Sequence, residues 1–339
     1  MDLNTTWFLL VGVLIAGYAV LDGFDLGVGV LHLFARDEDE RRVHMRAIGP
    51  VWDGNEVWLL TGGGALFAAF PVVYATVFSG FYLALMLVLF ALIARAVALE
   101  FCGAVDAPRW RRAWDWSFGL GSLLPALLFG VAVGNVLRGV PITAEMNWAG
   151  SFLGLLNPYA ILVGLVSLSL FVMHGALWLR LKATGALADR MARWALRAWS
   201  AFVVIYGAAT AMTFVSAPHL FAGVTRRPLF WALLVVLAAA LAAVPWATRR
   251  GKELQAFLAS AAVIVAMIGL CAVSLYPRLV PSSLGLDHSL TIYNSSSTPR
   301  TLTVMLVVAL IGMPLVLGYT AVIYRIFRGK VRAEDYGEH

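Results

Sequence analysis

Asp22 and Asp25 stand three residues apart in LDGFDLGVG, residues 21–29, inside one of the most apolar stretches of the chain. Acids in an intramembrane helix are usually paired, or they mark an ion or proton route. Residues three or four apart share a helix face, so Asp22, Asp25, Gly29 and His32 fall on one stripe. A second acidic pair, Asp53 and Glu56, follows in PVWDGNEVWLL, residues 50–60, with Asn55 beside it. Arg95 and Glu100 close a later apolar run, and Asp115 opens the next one in WDWSFG. One cation set against six carboxyls implies that some of them hold protons, and such groups can relay protons. The alternative is structural. Arg95 would then neutralise one aspartate in a buried pair, and Asp53, Glu56 and Asp115 would be helix-start acids favoured by the dipole.

Other chemistries find less support. The six histidines are His32, His44, His174, His219, His288 and His339, and only His174 lies well inside an apolar run. Membrane haems are usually held by histidine. A two-histidine haem has no evident second partner here, so His174 reads first as a core or cavity residue. HExxH, CxxCH, Walker and dinucleotide motifs are absent. Cys102 and Cys271 form no CxxC and argue no disulfide framework. TGGGALFAAF, residues 61–70, is glycine-rich but lies within an apolar run, where it reads as a close-packing surface. The chain is expected to hold no metal and to lack redox chemistry of its own.

The elements that must position the acids are membrane helices. Of 339 residues, 61% are hydrophobic and 13% charged, against about 45–50% and about 25% in soluble domains. Nine runs reach spanning length: residues 7–34, 51–73, 77–101, 114–137, 158–179, 194–216, 229–246, 254–276 and 302–327. The second is the weakest, because its first turn is polar. The N-terminus lacks the basic region of a cleavable signal, and its apolar run is too long for one. Most Lys and Arg fall in the loops after runs 1, 3, 5 and 7 and in the tail, from Arg36 to Arg332. Only Arg138, Arg226, Arg227, Arg278 and Arg300 lie on the opposite side. The positive-inside rule then puts the N-terminus outside and the C-terminus in the cytoplasm. The net charge of +6 is thus a topology signal, and nucleic acid is excluded as a partner. With run 1 entering near Trp7, Asp22 lies roughly 22 Å down the helix at 1.5 Å per residue. All the acids named above then fall in the cytoplasmic half of the first four helices.

LVGVLIAGYAVLDG, residues 10–23, and LVGLVSLSLFVMHG, residues 162–175, share LVG starts and polar-Gly ends at equal spacing. This pairing suggests two related four-helix bundles, with His174 standing where Asp22 stands. The expected fold is an all-α integral membrane protein with two such bundles and one peripheral ninth helix. The divisions fall at residues 1–140, 141–280 and 281–339, the last holding an external loop, helix 9 and the tail. Gly23 and Gly27 supply a GxxxG spacing for close helix approach.

GYAVLDGFDLGVG, PVWDGNEVWLLTGGGALFAAFPVVYA, FSGFYLALMLVLFALIAR, WDWSFGLGSLLPALLFGVAVGN and LLNPYAILVGLVSL together resemble subunit II of the cytochrome bd-type quinol oxidases. The outer loop PRLVPSSLGLDHSLTIYNSSST, residues 277–298, is similar as well, and the likeness runs from helix 1 to helix 9. The resemblance implies a multi-pass protein of the bacterial cytoplasmic membrane. It implies a complex that oxidises membrane quinol, reduces dioxygen to water and takes chemical protons from the cytoplasm. Haem b and haem d are expected in the partner, subunit I. This chain would hold neither haem nor a complete active site, and would pack against subunit I in the lipid bilayer. By motif match, the proposed proton positions fall on Asp25 in DGFD and Asp53 in WDGN. Asp22, Glu56, Arg95 and Asp115 join them through the similarity of their segments. The resemblance leaves open a structural quinone in this subunit and small accessory subunits. One departure is the short outer loop SAPHLFAGVTRRPLF, residues 216–230, where some relatives carry a longer insertion.

Overall fold

The computed structural model describes residues 2–331; Arg332 of the basic tail and His339 lie outside them. The chain forms α1 (Leu3–His32), α2 (Glu38–Ile48), α3 (Trp52–Ala69), α4 (Pro71–Gly80), α5 (Tyr82–Phe101) and α6 (Pro108–Arg138). After a non-helical link come α7 (Pro158–Lys182), α8 (Gly185–Ser216), α9 (Pro228–Arg249), α10 (Glu253–Leu275) and α11 (Pro299–Ile326). Among the described residues, α1 and α5 to α11 make eight helices long and apolar enough to cross a membrane.

Helix starts follow local chemistry. Asp2, Asp37 and Asn157 accept backbone N–H bonds at the heads of α1, α2 and α7 at 2.7, 2.9 and 3.0 Å. Proline opens α4, α6, α7, α9 and α11, where its missing N–H removes nothing that a helix would use. The same property breaks the run expected at residues 51–73. Phe70 leaves the helical region, Pro71 starts α4, and the last carbonyls of α3 lose their helical donors. Ser297 replaces those donors. Its N–H reaches the Ala69 carbonyl at 2.9 Å and its hydroxyl reaches that of Ala68 at 2.6 Å. A loop between α10 and α11 thus repairs a break in a helix.

α1 runs through the middle of the bundle and packs on α3, α6, α7 and α10. Its glycines permit the α7 contact. A Cβ on Gly27 would lie 1.9 Å from the Phe171 carbonyl oxygen, and one on Gly175 would lie 2.5 Å from the Gly27 backbone. Close backbone approach of this kind is how small residues join helices in lipid, where apolar burial supplies no drive. The glycine run on α3 behaves otherwise. Gly62 touches Leu14, but Gly63 and Gly64 meet nothing within 4 Å, so most of that surface is not packed within this chain.

The loop after α1 holds a helix that apolar runs alone did not indicate. α2 buries Val43, His44, Ala47 and Ile48; in its acidic first turn Asp39 is exposed, whereas Glu40 pairs with Arg190 of α8. Trp178 of α7 pins it through an indole bond of 2.9 Å to the Ala47 carbonyl. At the opposite end, β1 (Arg278–Val280) and β2 (Leu290–Thr291) form a short antiparallel pair. That pair packs with Trp7, Phe70 and Ile142 in a second apolar cluster. α11 is the most exposed span and lies along α1 and α3.

Candidate functional site

Four of the six singled-out residues meet at one guanidinium. Arg95 of α5 is fully buried, and its Nη2 donates to Asp22 Oδ1 at 2.9 Å. The same nitrogen lies 3.9 Å from Asp25 Oδ2, and Nη1 donates to Glu56 Oε1 at 2.6 Å. Asp22 and Asp25 are buried, whereas Glu56 is partly open. Asn55 completes the group. Its amide donates to Asp25 Oδ2 at 2.8 Å and to the Leu21 carbonyl at 3.0 Å, and its oxygen accepts from the Tyr324 hydroxyl at 2.9 Å. Four helices therefore converge: α1 brings two aspartates, α3 the Asn-Glu pair, α5 the arginine and α11 the tyrosine.

The planar fork of arginine explains the choice of cation, since it can address several carboxylates at once. Asp22 Oδ2, Asp25 Oδ1 and Arg95 Nε remain without hydrogen-bond partners among the described residues. Removing one partner of a buried ion pair typically costs about 3–5 kcal/mol, so the group is a structural commitment whatever else it does. Tyr324 went unnoticed in the sequence. It lies 269 positions from Asn55, and nothing in a run of apolar residues flags which hydroxyl will turn inward.

Asp53 and Asp115 stand apart from this group. Asp53 is exposed in the first turn of α3, one turn before Glu56. Asp115, near the start of α6, belongs to a second polar cluster. Its Oδ1 lies 2.8 Å from His32 Nε2 and its Oδ2 lies 3.5 Å from Arg41 Nε. The Cys102 thiol points at it from 3.9 Å and is pushed up to about 11, chiefly by burial and then by the Asp115 charge. His44 of α2 is fully buried, its ring centroid 5.9 Å from that of His32. Burial first, and then the charges of His32 and Arg190, hold His44 well below the usual histidine range. Sequence reasoning placed His32 on the Asp22 stripe but left His44 outside the apolar runs.

His174 does not fit as a haem ligand. Nδ1 bonds Ser260 Oγ at 2.6 Å, Nε2 bonds the Val20 carbonyl at 3.0 Å, and the ring stacks on Phe257 at 4.6 Å. Neither nitrogen is left for iron. Among the described residues, no group of three or more His, Cys, Asp or Glu side chains is arranged to hold a metal ion.

A bundle of apolar helices with an arginine shared by three carboxylates is the interior of a multi-pass membrane protein. Residues 3–327 match the family described as cytochrome bd terminal oxidase subunit II. The chain is 41% identical to "Probable cytochrome oxidase subunit 2" of Haemophilus influenzae, over 99% of this chain and 98% of that one. It is 36% identical to "Cytochrome bd-I ubiquinol oxidase subunit 2" of Escherichia coli K12, over 98% and 96%. It is 40% identical to "Cytochrome bd ubiquinol oxidase subunit 2" of Bacillus subtilis, over 98% of both. Its fold is similar to a chain in "The structure of bd oxidase from Geobacillus thermodenitrificans", with TM-score 0.79, 17% identity, and coverage of 96% of this chain and 99% of that one. The chain belongs to the cytochrome bd terminal oxidase subunit II family, and is thus a component of an oxidoreductase complex.

Proposed function

We propose that this chain is the haem-free subunit of a quinol:dioxygen oxidoreductase. It scaffolds a haem-bearing subunit I and carries protons from the cytoplasm toward the site of oxygen reduction. In this reading the chain spans a bacterial cytoplasmic membrane nine times, with α3 and α4 together making the second crossing. The N-terminus lies outside and the C-terminus inside, as the basic loops require. Haem b and haem d belong to subunit I, and so does quinol oxidation. Support comes from relatives named as ubiquinol oxidase subunits and from a His174 with both nitrogens engaged.

The observation that carries the proton reading is the single guanidinium shared by Asp22, Asp25 and Glu56. Three ionised carboxylates around one cation would leave net negative charge inside the protein, which is costly. The cluster therefore holds at least one proton, and its unpartnered carboxylate oxygens are where that proton moves. Asp53, exposed one turn before Glu56, is the mouth. The scaffold reading draws on the same helix. Leu60 is 74% exposed and Phe67 58%, beside the uncovered Gly63 and Gly64. A charged mouth at one end of an uncovered, flat apolar face suits a protein partner better than lipid, which tolerates a lone carboxylate poorly.

Asp53→Asn in the intact oxidase is expected to lower oxygen consumption while haem content stays normal. Full turnover with normal proton uptake in that variant would remove Asp53 from the route. The rival reading, a purely structural subunit, rests on Arg95 serving only as a neutralising strut. Loss of the haem bands in the same variant would favour it. A tagged copy of the chain, stripped of its partner, is expected to show no haem in a reduced-minus-oxidised spectrum. Retained haem would overturn the haem-free assignment.

A further inference from the structure

The second polar cluster is not needed to hold Arg95, yet it is built from buried titratable groups. We propose that Asp115, His32 and His44 form a second proton inlet, which feeds the Arg95 cluster along the face of α1 shared by His32, Gly29 and Asp25. The inference rests on the proton-pathway reading and adds a separate entrance to it.

The entrance is Asp115, which is 8% exposed and touches His32 directly. His32 is buried, with Nε2 toward Asp115 and Nδ1 unpartnered among the described residues. Both ring nitrogens of buried His44 are unpartnered among them too. Buried polar atoms normally find partners, and where the protein supplies none, ordered water does so. Three such atoms on two rings with centroids 5.9 Å apart make a cradle for water at the far side of His32. His44, held neutral, can accept from or donate to that water without competing for the proton.

Beyond His32 the face of α1 is closely packed, with one polar group set into it. The Ser122 side chain fills the space at Gly29, where a Cβ would lie 1.9 Å from its Oγ, and the Phe118 ring lies beside it. The Ser122 hydroxyl donates to the Phe118 carbonyl at 2.8 Å and keeps its lone pairs free to accept. One turn further stands Asp25, whose Oδ1 is unpartnered among the described residues. His32 and Asp25 are seven residues apart, about 10 Å of helix rise, with the serine hydroxyl midway, so transfer along this face needs water to enter transiently on either side of Ser122.

The proton count closes simply. Asp115 gives its proton to His32 Nε2, the imidazolium releases one from Nδ1 to water, and water delivers it to Asp25. Asp115 refills from the cytoplasm, and the ring must turn to bring its remaining N–H back to the water side before the next transfer. Charged and titratable groups face the cluster from several helices. Arg41 faces Asp115 from α2, Cys102 faces it from the end of α5, and Arg190 of α8 lies near His44 but is paired with Glu40 of α2. Arg111 of α6 is engaged by Asp106 and lies 3.8 Å from Glu38.

The test uses the complete oxidase in liposomes, read by oxygen consumption and proton uptake from pH 6 to pH 8.5. A side chain that passes a proton is worth ~10²–10⁴-fold, and with the Asp53 entrance still open the His32→Gln loss should be limited to about tenfold at pH 8. It should shrink toward pH 6, where protons are abundant. Asp115→Asn should follow the same profile. Two parallel entrances also make a double variant informative. His32→Gln with Asp53→Asn should fall further than the product of the two single losses, because each entrance covers for the other. A loss of equal factor at every pH means a structural role and overturns the proposal, as does a double variant no worse than the weaker single. If His32→Gln does not assemble, Asp115→Asn alone decides, and wild-type turnover at pH 8.5 would sink the inlet. Asp25→Asn separates the two readings. If it is fully active, the pathway itself fails. If it is inactive while His32→Gln is normal at every pH, only the inlet fails.

Discussion

The two helices that carry the paired motifs, α1 and α7, lie against each other and treat matching positions in opposite ways. On α1, Asp22 shares a guanidinium with two other carboxylates and keeps one oxygen unpartnered among the described residues. On α7, His174 has each nitrogen on one partner and its ring on Phe257. The first arrangement can change its proton count without losing all its bonds. The second cannot do so cheaply, because a second proton would charge a fully buried ring whose nitrogens meet a hydroxyl and a carbonyl rather than a carboxylate. Position within a helix does not decide whether a polar group acts as a strut or a relay. What decides it is whether its bonding is complete.

Removing the one cation gives the largest effect that separates these regions. Arg95→Leu leaves Asp22 and Asp25 buried with no counter-charge, a loss of about 3–5 kcal/mol. The oxidase is expected to fail to assemble, seen as lost haem bands in membranes. Arg95→Lys keeps the charge but not the fork, and is expected to restore part of the assembled complex. A fully assembled, active Arg95→Leu oxidase would mean that the aspartates do not need the arginine, and the comparison would break.

Asp25→Asn comes next and tests the relay side alone. The amide keeps the size and can still bond Asn55, so assembly should persist. Turnover should fall by about 10²-fold, the lower range for loss of a placed proton carrier. On the strut side, His174→Phe should cost about 1–3 kcal/mol by removing two buried hydrogen bonds, those to the Val20 carbonyl and the Ser260 hydroxyl. That loss would appear as a lower melting temperature of the purified complex, with turnover per haem and its pH profile unchanged. A shifted pH profile in His174→Phe would place a relay where the geometry shows a strut.

Much of this was legible in the residues. The stripe of Asp22, Asp25 and His32 required only helical spacing, and Gly23 and Gly27 announced close contact before α7 was known to provide it. Other features depend on contacts across the chain. Pro71 was visible, but breaking the second run there requires Ser297 to satisfy the freed carbonyls, and a loop more than 200 residues away cannot be read locally. Asp115 was read with the Asp22 group because both lie at one end of the bundle. Depth alone could not show that α6 would turn it to His32 and Arg41 instead. α2 is short and charged, so no apolar run pointed to it, and its burial of His44 comes from docking against other helices, α1 and α7 among them.

That docking yields the smallest and most specific expectation. His44 is neutral in the folded protein because burial, and the charges of His32 and Arg190, hold it well below its ordinary value. In the unfolded chain it takes up a proton near pH 6.5. Below that pH the unfolded state binds the extra proton and the folded state does not, so stability must fall as pH falls. The contribution is complete above about pH 6.5 and is lost progressively below it, until the folded ring itself titrates. The protection of the α2 amides in the intact complex, measured against their intrinsic exchange rate at each pH, should therefore fall between pH 7 and pH 5.5, and His44→Leu should flatten that dependence. The α7–α10 contact around His174 should show no such local opening tied to His44. An α2 segment equally protected at both pH values would show that it is held independently of the His44 charge.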